Sequence, residues 1–351
     1  MLEKLGWNTR LEALKNRKNK ELFAGRVSTQ NRDLFKVITD EGEWLCNLPG
    51  TYYYEATFDF PAVGDWILLA PQEGEHRGVI QNVLKRTSVF KRKAAGNETK
   101  VQVIAANIDI AFLVMSCNKD FNVKRLERYL IATWDSGAKP IILLTKADLI
   151  DDNKRIDLEI KVSEIAVGVP YYFVSNNTGE NLSKVQGALS PNLSGVLLGS
   201  SGVGKSTLVN TLLGLEKMTV NGIREDDSKG KHTTTHRELI ILPKGGVIID
   251  TPGMREFQLW SEEGNQGFSE NFQDVQELIS QCKFNDCQHD SEPGCAVKEA
   301  LSNGGLSQER YEQYLKLQKE LAYIERKENE NLRRLEKEKW KKLTMQTRRK
   351  Y

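Results

Sequence analysis

Between Phe23 and about Val89 the apolar residues come in short runs: Phe35-Lys-Val-Ile38, Trp44-Leu-Cys46, Asp65-Trp-Ile-Leu-Leu69 and Gly78-Val-Ile80. Turn-forming residues separate them, as in Asp40-Glu-Gly42, Leu48-Pro-Gly50 and Val63-Gly64. That pattern predicts a small antiparallel barrel. Such barrels often bind nucleic acid. The pattern alone leaves three readings open: an oligonucleotide-binding barrel, a barrel of another topology, or one that merely packs.

From Val101 the pattern changes to apolar strands alternating with amphipathic helices, which predicts βαβ units around a parallel sheet. Expected strands are Ile108 to Met115, Pro140 to Leu144, Tyr171 to Val174, Gly195 to Leu198, Glu238 to Leu242 and Val247 to Ile249. Helices are expected over Val123 to Gly137, over Lys154 to Val167 and from the end of the Gly199 loop through Leu213. After about Ser261 the chain becomes charged and helical. Tyr314, Leu317, Leu321 and Ile324 there share one helical face, which reads as ordinary packing.

The chain has 351 residues, 39% hydrophobic and 28% charged, with a net charge of +2. Those values suit a globular protein of two or three domains. No apolar run approaches the roughly 20 residues of a membrane span, and no signal-peptide pattern follows Met1, so a cytoplasmic protein is expected. The charge is uneven: 84–100 carries six basic residues against Glu98 alone, and 339–351 carries six and no acidic one. Such patches fit a polyanionic partner or a solvated face. Of the five cysteines, three fall between Cys282 and Cys295, and an odd, clustered set argues for metal rather than disulfides.

The chemistry concentrates in four places. Gly199, Ser200, Ser201, Gly202, Val203, Gly204, Lys205, Ser206 and Thr207 link the strand Val196-Leu-Leu198 to a helix. This is a P-loop, whose backbone N–H groups cradle phosphates while Lys205 reaches the β/γ-phosphates and Ser206 ligates Mg²⁺. Asp250-Thr-Pro-Gly253 follows an apolar strand, so Asp250 can hold Mg²⁺ through water and the Gly253 N–H can sense a γ-phosphate. Thr145, Lys146, Ala147 and Asp148 close another strand, where the Asp148 carboxylate can accept both N–H donors of guanine's Watson–Crick edge; the competing role for Asp148 is a helix cap. Ser175-Asn-Asn-Thr-Gly179 would complete the base pocket. Fourth, Cys282, Cys287, His289 and Cys295 form the Cys₃His set of a closed tetrahedral Zn²⁺ site, which would be structural.

The base-reading motifs precede the P-loop, the reverse of the usual order, so the nucleotide domain looks circularly permuted. A permuted domain preceded by a barrel and followed by a Cys/His cluster resembles the ribosome small-subunit-dependent GTPase A family. The resemblance also rests on Arg92-Lys-Ala-Ala-Gly96, Ile104-Ala-Ala-Asn-Ile-Asp109, Lys231-His-Thr-Thr-Thr-His-Arg237 and Asp250-Thr-Pro-Gly-Met-Arg-Glu-Phe257. It implies slow GTP hydrolysis stimulated by the 30S subunit and a role in late 30S maturation with contacts to 16S rRNA. Thr145 stands where most G domains carry Asn, although this family tolerates Thr. Met254 stands where Ras-like enzymes carry a water-orienting Gln, and a thioether cannot polarise water. His232 is the candidate replacement, with an rRNA contact as its other reading. One of Thr233, Thr234 or Thr235 would ligate Mg²⁺, and Thr234 is taken as the working choice.

The expected fold is multidomain α/β: an OB-like barrel over 1–93, a circularly permuted P-loop GTPase domain over 94–260, and an α-helical zinc-binding domain with a basic tail over 261–351. The expected protein is a monomeric, cytoplasmic GTP hydrolase using Mg²⁺ with GTP, cycling to GDP, holding one Zn²⁺, and binding the 30S subunit and 16S rRNA without a membrane partner. The rival is a non-enzymatic rRNA-binding scaffold whose nucleotide only orders loops. An ATPase is disfavoured by Asp148.

Overall fold

The computed structural model describes residues 1–18, 21–31, 33–50, 60–72, 74, 76–93, 101–118, 120–214, 237–250, 266–290 and 292–326. The chain divides into two compact units, Met1–Lys91 with Val103–Phe257, and Arg92–Gln102 with Gln258–Tyr351.

The first unit opens with a short 3-10 turn, Leu2–Leu5, and helix α1 (Thr9–Lys18). A barrel follows, made of β1 (Phe23–Asn31), β2 (Leu34–Thr39), β3 (Gly42–Asn47), β4 (Trp66–Pro71) and β5 (Arg77–Val83), with neighbours in the order β1-β2-β3-β5-β4 and closure of β4 onto β1. All its pairings are antiparallel except β3 with β5, which run parallel. A ring with an odd number of strands cannot have every neighbour antiparallel, so the all-antiparallel expectation is corrected at one seam. Five-stranded closure is what makes the barrel OB-like. Alternate residues of β3 face inward, with Trp44 and Cys46 buried and Glu43, Leu45 and Asn47 exposed. They meet Val27, Phe35, Val37, Ile67, Leu69 and Ile80 in the barrel core. The other face of β4, Trp66 and Leu68, is buried under the N-terminal segment, where Trp7 meets Trp66 edge-on at 5.1 Å between ring centroids.

Strands β6 (Val89–Lys93) and β7 (Val101–Ala106) form a separate two-stranded sheet. The nucleotide domain then runs through β8 (Ile110–Ser116), α2 (Val123–Ser136), β9 (Lys139–Thr145), α3 (Asp152–Ile165), β10 (Tyr171–Val174), α4 (Leu182–Ala188), β11 (Ser194–Leu198), α5 (Lys205–Leu212), β12 (Glu238–Ile241) and β13 (Val247–Asp250). Its strands lie in the order β10-β9-β8-β11-β13-β12, parallel throughout except for β12. Every residue of β8 and β11 is buried, as expected for strands covered on both faces. Ala111, Leu113 and Met115 pack on one face with residues of α2 and α3, including Leu126, Leu130, Leu158 and Val162. Ile110, Phe112 and Val114 pack on the other with Val185 of α4 and Leu208, Val209 and Leu212 of α5. Burying each such side chain contributes about 1.5–3 kcal/mol, and this two-sided core makes the sheet a rigid base for its loops.

Barrel and nucleotide domain are joined within this unit. A single bridge, Thr29 to Glu238, links β1 to β12. Beside it Arg26 of β1 is 1% exposed. Its guanidinium donates to the carbonyl oxygens of Leu5, of Gly64 (3.2 Å) and of Asn107 (3.0 Å), and lies 5.0 Å from the Trp66 ring centroid. Burial pulls its pKa down to about 10, against the opposing pull of Asp109 and Asp65, so it stays charged at neutral pH.

In the second unit, α6 (Gln266–Asn271), α7 (Gln273–Ser280), α8 (Ala296–Asn303) and α9 (308–326) surround an aromatic core. Tyr314 of α9 contacts Phe268 and Phe272 at ring-centroid distances of 5.3 and 5.4 Å. Tyr314, Leu317 and Leu321 are buried and Ile324 half-buried, so the apolar stripe of α9 is spent on packing. Among the described residues no helix is long and apolar enough to cross a membrane.

Candidate functional site

The chain runs β8, β9, β10 outward to one edge of the sheet and then returns to lay β11 and β13 on the other side of β8. That reversal makes β8/β11 the topological switch point, where a doubly wound sheet opens a crevice at the carboxyl ends of its strands. The loops singled out from the sequence leave from those ends: Thr145–Asp148 after β9, Ser175–Gly179 after β10, Gly199–Gly204 after β11, and Asp250 at the end of β13.

The P-loop is moulded by its glycines. A Cβ on Gly199 would sit 2.4 Å from the Val114 carbonyl oxygen, so only glycine lets the loop pass so close to β8. Gly204 adopts φ +99°, a left-handed conformation costly for other residues, and starts α5. Lys205 Nζ lies over the loop and donates to the carbonyl oxygens of Gly199 and Ser200, both at 2.6 Å. Ser206 and Thr207 occupy the first turn of α5, whose N-terminal N–H groups favour an anion.

The base-side loop is tied to the P-loop. Thr145, 1% exposed, donates through Oγ1 to the Val203 carbonyl oxygen at 2.6 Å, with the Met115 carbonyl oxygen at 3.2 Å. Lys146, at φ +60°, donates through Nζ to the Gly202 carbonyl oxygen at 2.8 Å. Thr145 therefore joins the two loops. Ala147 is buried beneath the turn, and Asp148 is exposed at its tip. Both carboxylate oxygens of Asp148 are held from the β10 loop: Oδ1 accepts from Ser175 Oγ at 2.7 Å and Oδ2 from Asn177 Nδ2 at 2.8 Å. The N-terminal cap of α3 is Asp151, whose side chain accepts from the Lys154 N–H at 2.8 Å, which rules out the helix-cap role for Asp148. Neighbouring Asn176 buries Oδ1 with no hydrogen-bond partner, a cost of about 1–3 kcal/mol in the loop where a base would sit.

Two side chains of this site were not foreseen. One is Asn177. The other is Asp120, in the loop after β8, which accepts from Ser200 Oγ at 2.7 Å and pairs with Arg125 at 3.1 Å. Both act between loops brought together only by strand order, and no local spacing signals them. In the basic segment 84–100, Arg86 is engaged by the fully buried Asp65 through bonds of 2.8 and 2.7 Å. It therefore adds little to a polyanion surface. His232, Thr233, Thr234, Thr235, Gly253, Met254, residues 94–100 and the basic tail 339–351 lie outside the described residues.

In the second unit the ligand atoms of Cys282, Cys287, His289 and Cys295 lie within 4.8 Å of one another. Sγ of Cys282 is 3.9 Å from Sγ of Cys295, and these two sulfurs lie 3.6 and 3.4 Å from His289 Nδ1. A tetrahedron with Zn–S and Zn–N bonds of ordinary length has S···S edges of about 3.8 Å and S···N edges of about 3.6 Å, so the cluster could hold one zinc ion. Burial raises the Cys282 thiol, but the N–H groups of Val297 and Ala296 at the start of α8, and then the neighbouring thiols, outweigh it and leave its pKa lowered. Cys287, by contrast, is pushed up to about 11 by desolvation and by Cys295 and Cys282.

Comparison with known proteins agrees with this geometry. The sequence model of the family described as RsgA GTPase matches residues 83–260. The chain is 47% identical to small ribosomal subunit biogenesis GTPase RsgA 1 of Listeria innocua, over 97% of this chain and 95% of that one. It is 46% identical to RsgA 1 of Oceanobacillus iheyensis, over 92% and 91%. Among solved structures, YjeQ from Thermotoga maritima superposes with a TM-score of 0.66 at 26% identity, covering 86% of this chain and 99% of that one. YloQ, described as a circularly permuted GTPase, does so with a TM-score of 0.63 at 26% identity, covering 87% and 96%. With base-side loops ahead of the P-loop, and with an OB-like barrel and a cysteine–histidine cluster flanking a permuted nucleotide fold, the chain belongs to the RsgA GTPase family.

Proposed function

We propose that this protein binds and hydrolyses GTP at the β8/β11 crevice, releases GDP, and uses that cycle to act on the 30S subunit in the late maturation of small ribosomal subunits. The observation that carries the reading is the joining of the two halves of the crevice. The Thr145 bond to Val203 and the Lys146 bond to Gly202 hold the Asp148 turn against the loop that carries Lys205.

In this reading Asp148 accepts guanine's N1–H and amino protons, Ser175 orients it, and Lys146 and Ala147 shape the turn. Backbone N–H groups from Ser200 through Thr207 cradle the phosphates, and Lys205 neutralises charge that builds between the β- and γ-phosphates. Ser206 and Asp250, with Thr234, are the oxygen donors that would hold Mg²⁺, which when bound would supply positive charge to offset that of the phosphates. Gly253 would sense the γ-phosphate, and His232 would orient the attacking water in place of the inert Met254 side chain. Turnover is then slow until the subunit orders the site.

The division into 1–93, 94–260 and 261–351 fits three tasks: rRNA contact by the barrel, nucleotide chemistry, and a structural Zn²⁺ at Cys282, Cys287, His289 and Cys295. The protein would act as a monomer in the cytoplasm, touching 16S rRNA partly through its basic segments, and its 30S affinity should fall steeply with salt. The test is turnover of GTP and ATP side by side, with and without 30S subunits. GTP hydrolysis should be slow alone and faster with the subunit, and ATP should not be turned over. Equal use of ATP, or indifference to the subunit, would sink the reading.

A further inference from the structure

The roles assigned so far leave Asn177 unused, although it holds half of the Asp148 carboxylate. Ser175 Oγ holds Oδ1 at 2.7 Å, and Asn177 Nδ2 holds Oδ2 at 2.8 Å. The loop supplying both is braced internally. Ser175 Oγ accepts from the N–H groups of Asn177 at 3.2 Å and Thr178 at 3.1 Å, and the Gly179 N–H donates to the Ser175 carbonyl oxygen at 3.0 Å. With its lone pairs so engaged, the Ser175 hydroxyl directs its one hydrogen to Asp148.

A carboxylate held at one oxygen still rotates about its Cβ–Cγ bond, whereas one held at both has its plane set before a ligand arrives. Each carboxylate oxygen offers two acceptor sites, so one bond from the loop does not by itself exhaust an oxygen. Guanine presents N1–H and an amino group together and needs both oxygens in one plane. Hypoxanthine lacks the amino group and is satisfied by one oxygen whatever the rotation. A pre-set plane therefore favours guanine over hypoxanthine selectively, as sites built to pair a given N–H reject analogues that lack it.

We propose that Asn177 is a positioning residue for guanine recognition, setting the plane of the Asp148 carboxylate so that both purine donors are met at once. This rests on Asp148 being the base reader. The test is calorimetric titration of the full chain, unaltered and as Asn177→Ala and Asn177→Asp, with GDP, IDP and ADP, melting temperatures being recorded alongside. Asn177→Ala should lower GDP affinity about tenfold, the scale of one hydrogen bond to a charged group, and IDP affinity by less than about twofold. Asn177→Asp keeps the shape but turns an acceptor toward Asp148, so its GDP loss should be larger. A parallel fall for GDP and IDP, or no change in their ratio, overturns the proposal while leaving the base-reading assignment intact. Unaltered protein that fails to prefer GDP over ADP removes the assignment itself.

Discussion

The nucleotide crevice takes its side chains from loops spread between Asp120 and Asp250, whereas the cysteine–histidine cluster takes all of its own from between Cys282 and Cys295. The crevice sits on strands buried on both faces, so Asp148 and Lys205 are held by a core neither of them helps to form. The cluster sits between α7 and α8, helices of eight residues each, too short to be stable alone. One region is a fold that presents a site. The other, with zinc bound as proposed, would be a site that makes the fold around it.

The sharpest way to break this contrast is to strip the metal. Chelation should abolish amide-exchange protection over α7 and α8 and leave β8 to β11 and GDP affinity unchanged. A structural zinc is worth on the order of 10–16 kcal/mol of apparent folding free energy in small zinc domains. Protection that survives in verified metal-free protein would place the order of this unit in its aromatic core around Phe268, Phe272 and Tyr314 instead. A smaller but still large effect belongs to the barrel joint. Arg26→Met removes donors to three buried carbonyl groups, and loss of stability of about 3–5 kcal/mol is expected in denaturant unfolding of the whole first unit. A loss under about 1 kcal/mol would mean that the barrel and the nucleotide domain are held by contacts other than those of Arg26.

Lys205→Ala separates site from scaffold within the crevice. Its ammonium donates to the carbonyl oxygens of Gly199 and Ser200 in its own loop; with its main work on the phosphates, the melting temperature should hold while GTP affinity falls about a hundredfold, as when a charge paired with a desolvated anion is removed. Equilibrium titration and a thermal melt on the same preparation check both halves. A matched fall in stability would show the P-loop to be part of the fold.

Much of this division is legible before any coordinates. Buried parallel strands are unbroken apolar runs, so β8 to β11 and β13 can be placed to within a residue or two, and the short spacing of Cys282, Cys287, His289 and Cys295 marks a candidate metal cluster. The errors have physical causes. Helix α3 begins two residues before the expected Lys154, because Asp151 caps it where the apolar periodicity gave no signal. The expected strand from Ile108 starts at Ile110, since Asn107 is left-handed and Ile108 bonds Ser88 through both backbone groups. Helix α1 escapes notice because its sequence is largely polar and only Leu11 is fully buried. Asn177 and Asp120 are invisible for a different reason: each meets its partner across neighbouring strands, and the chain between them carries no trace of that adjacency.

The subtlest test concerns Thr145, where the sequence departs from the usual Asn. Its hydroxyl is buried between β8 and the P-loop and donates to the Val203 carbonyl oxygen at 2.6 Å. Thr145→Val keeps the shape and deletes only that donor. The unsatisfied carbonyl should cost about 1 kcal/mol, read as a small drop in unfolding free energy. If the bond also holds the base loop against the phosphate loop, GDP should dissociate about fivefold faster in stopped-flow displacement, the kinetic equivalent of that same energy. A stability loss without faster release would make Thr145 a core residue that happens to lie beside the site. Faster release at unchanged stability would make the tie between the two loops its whole function.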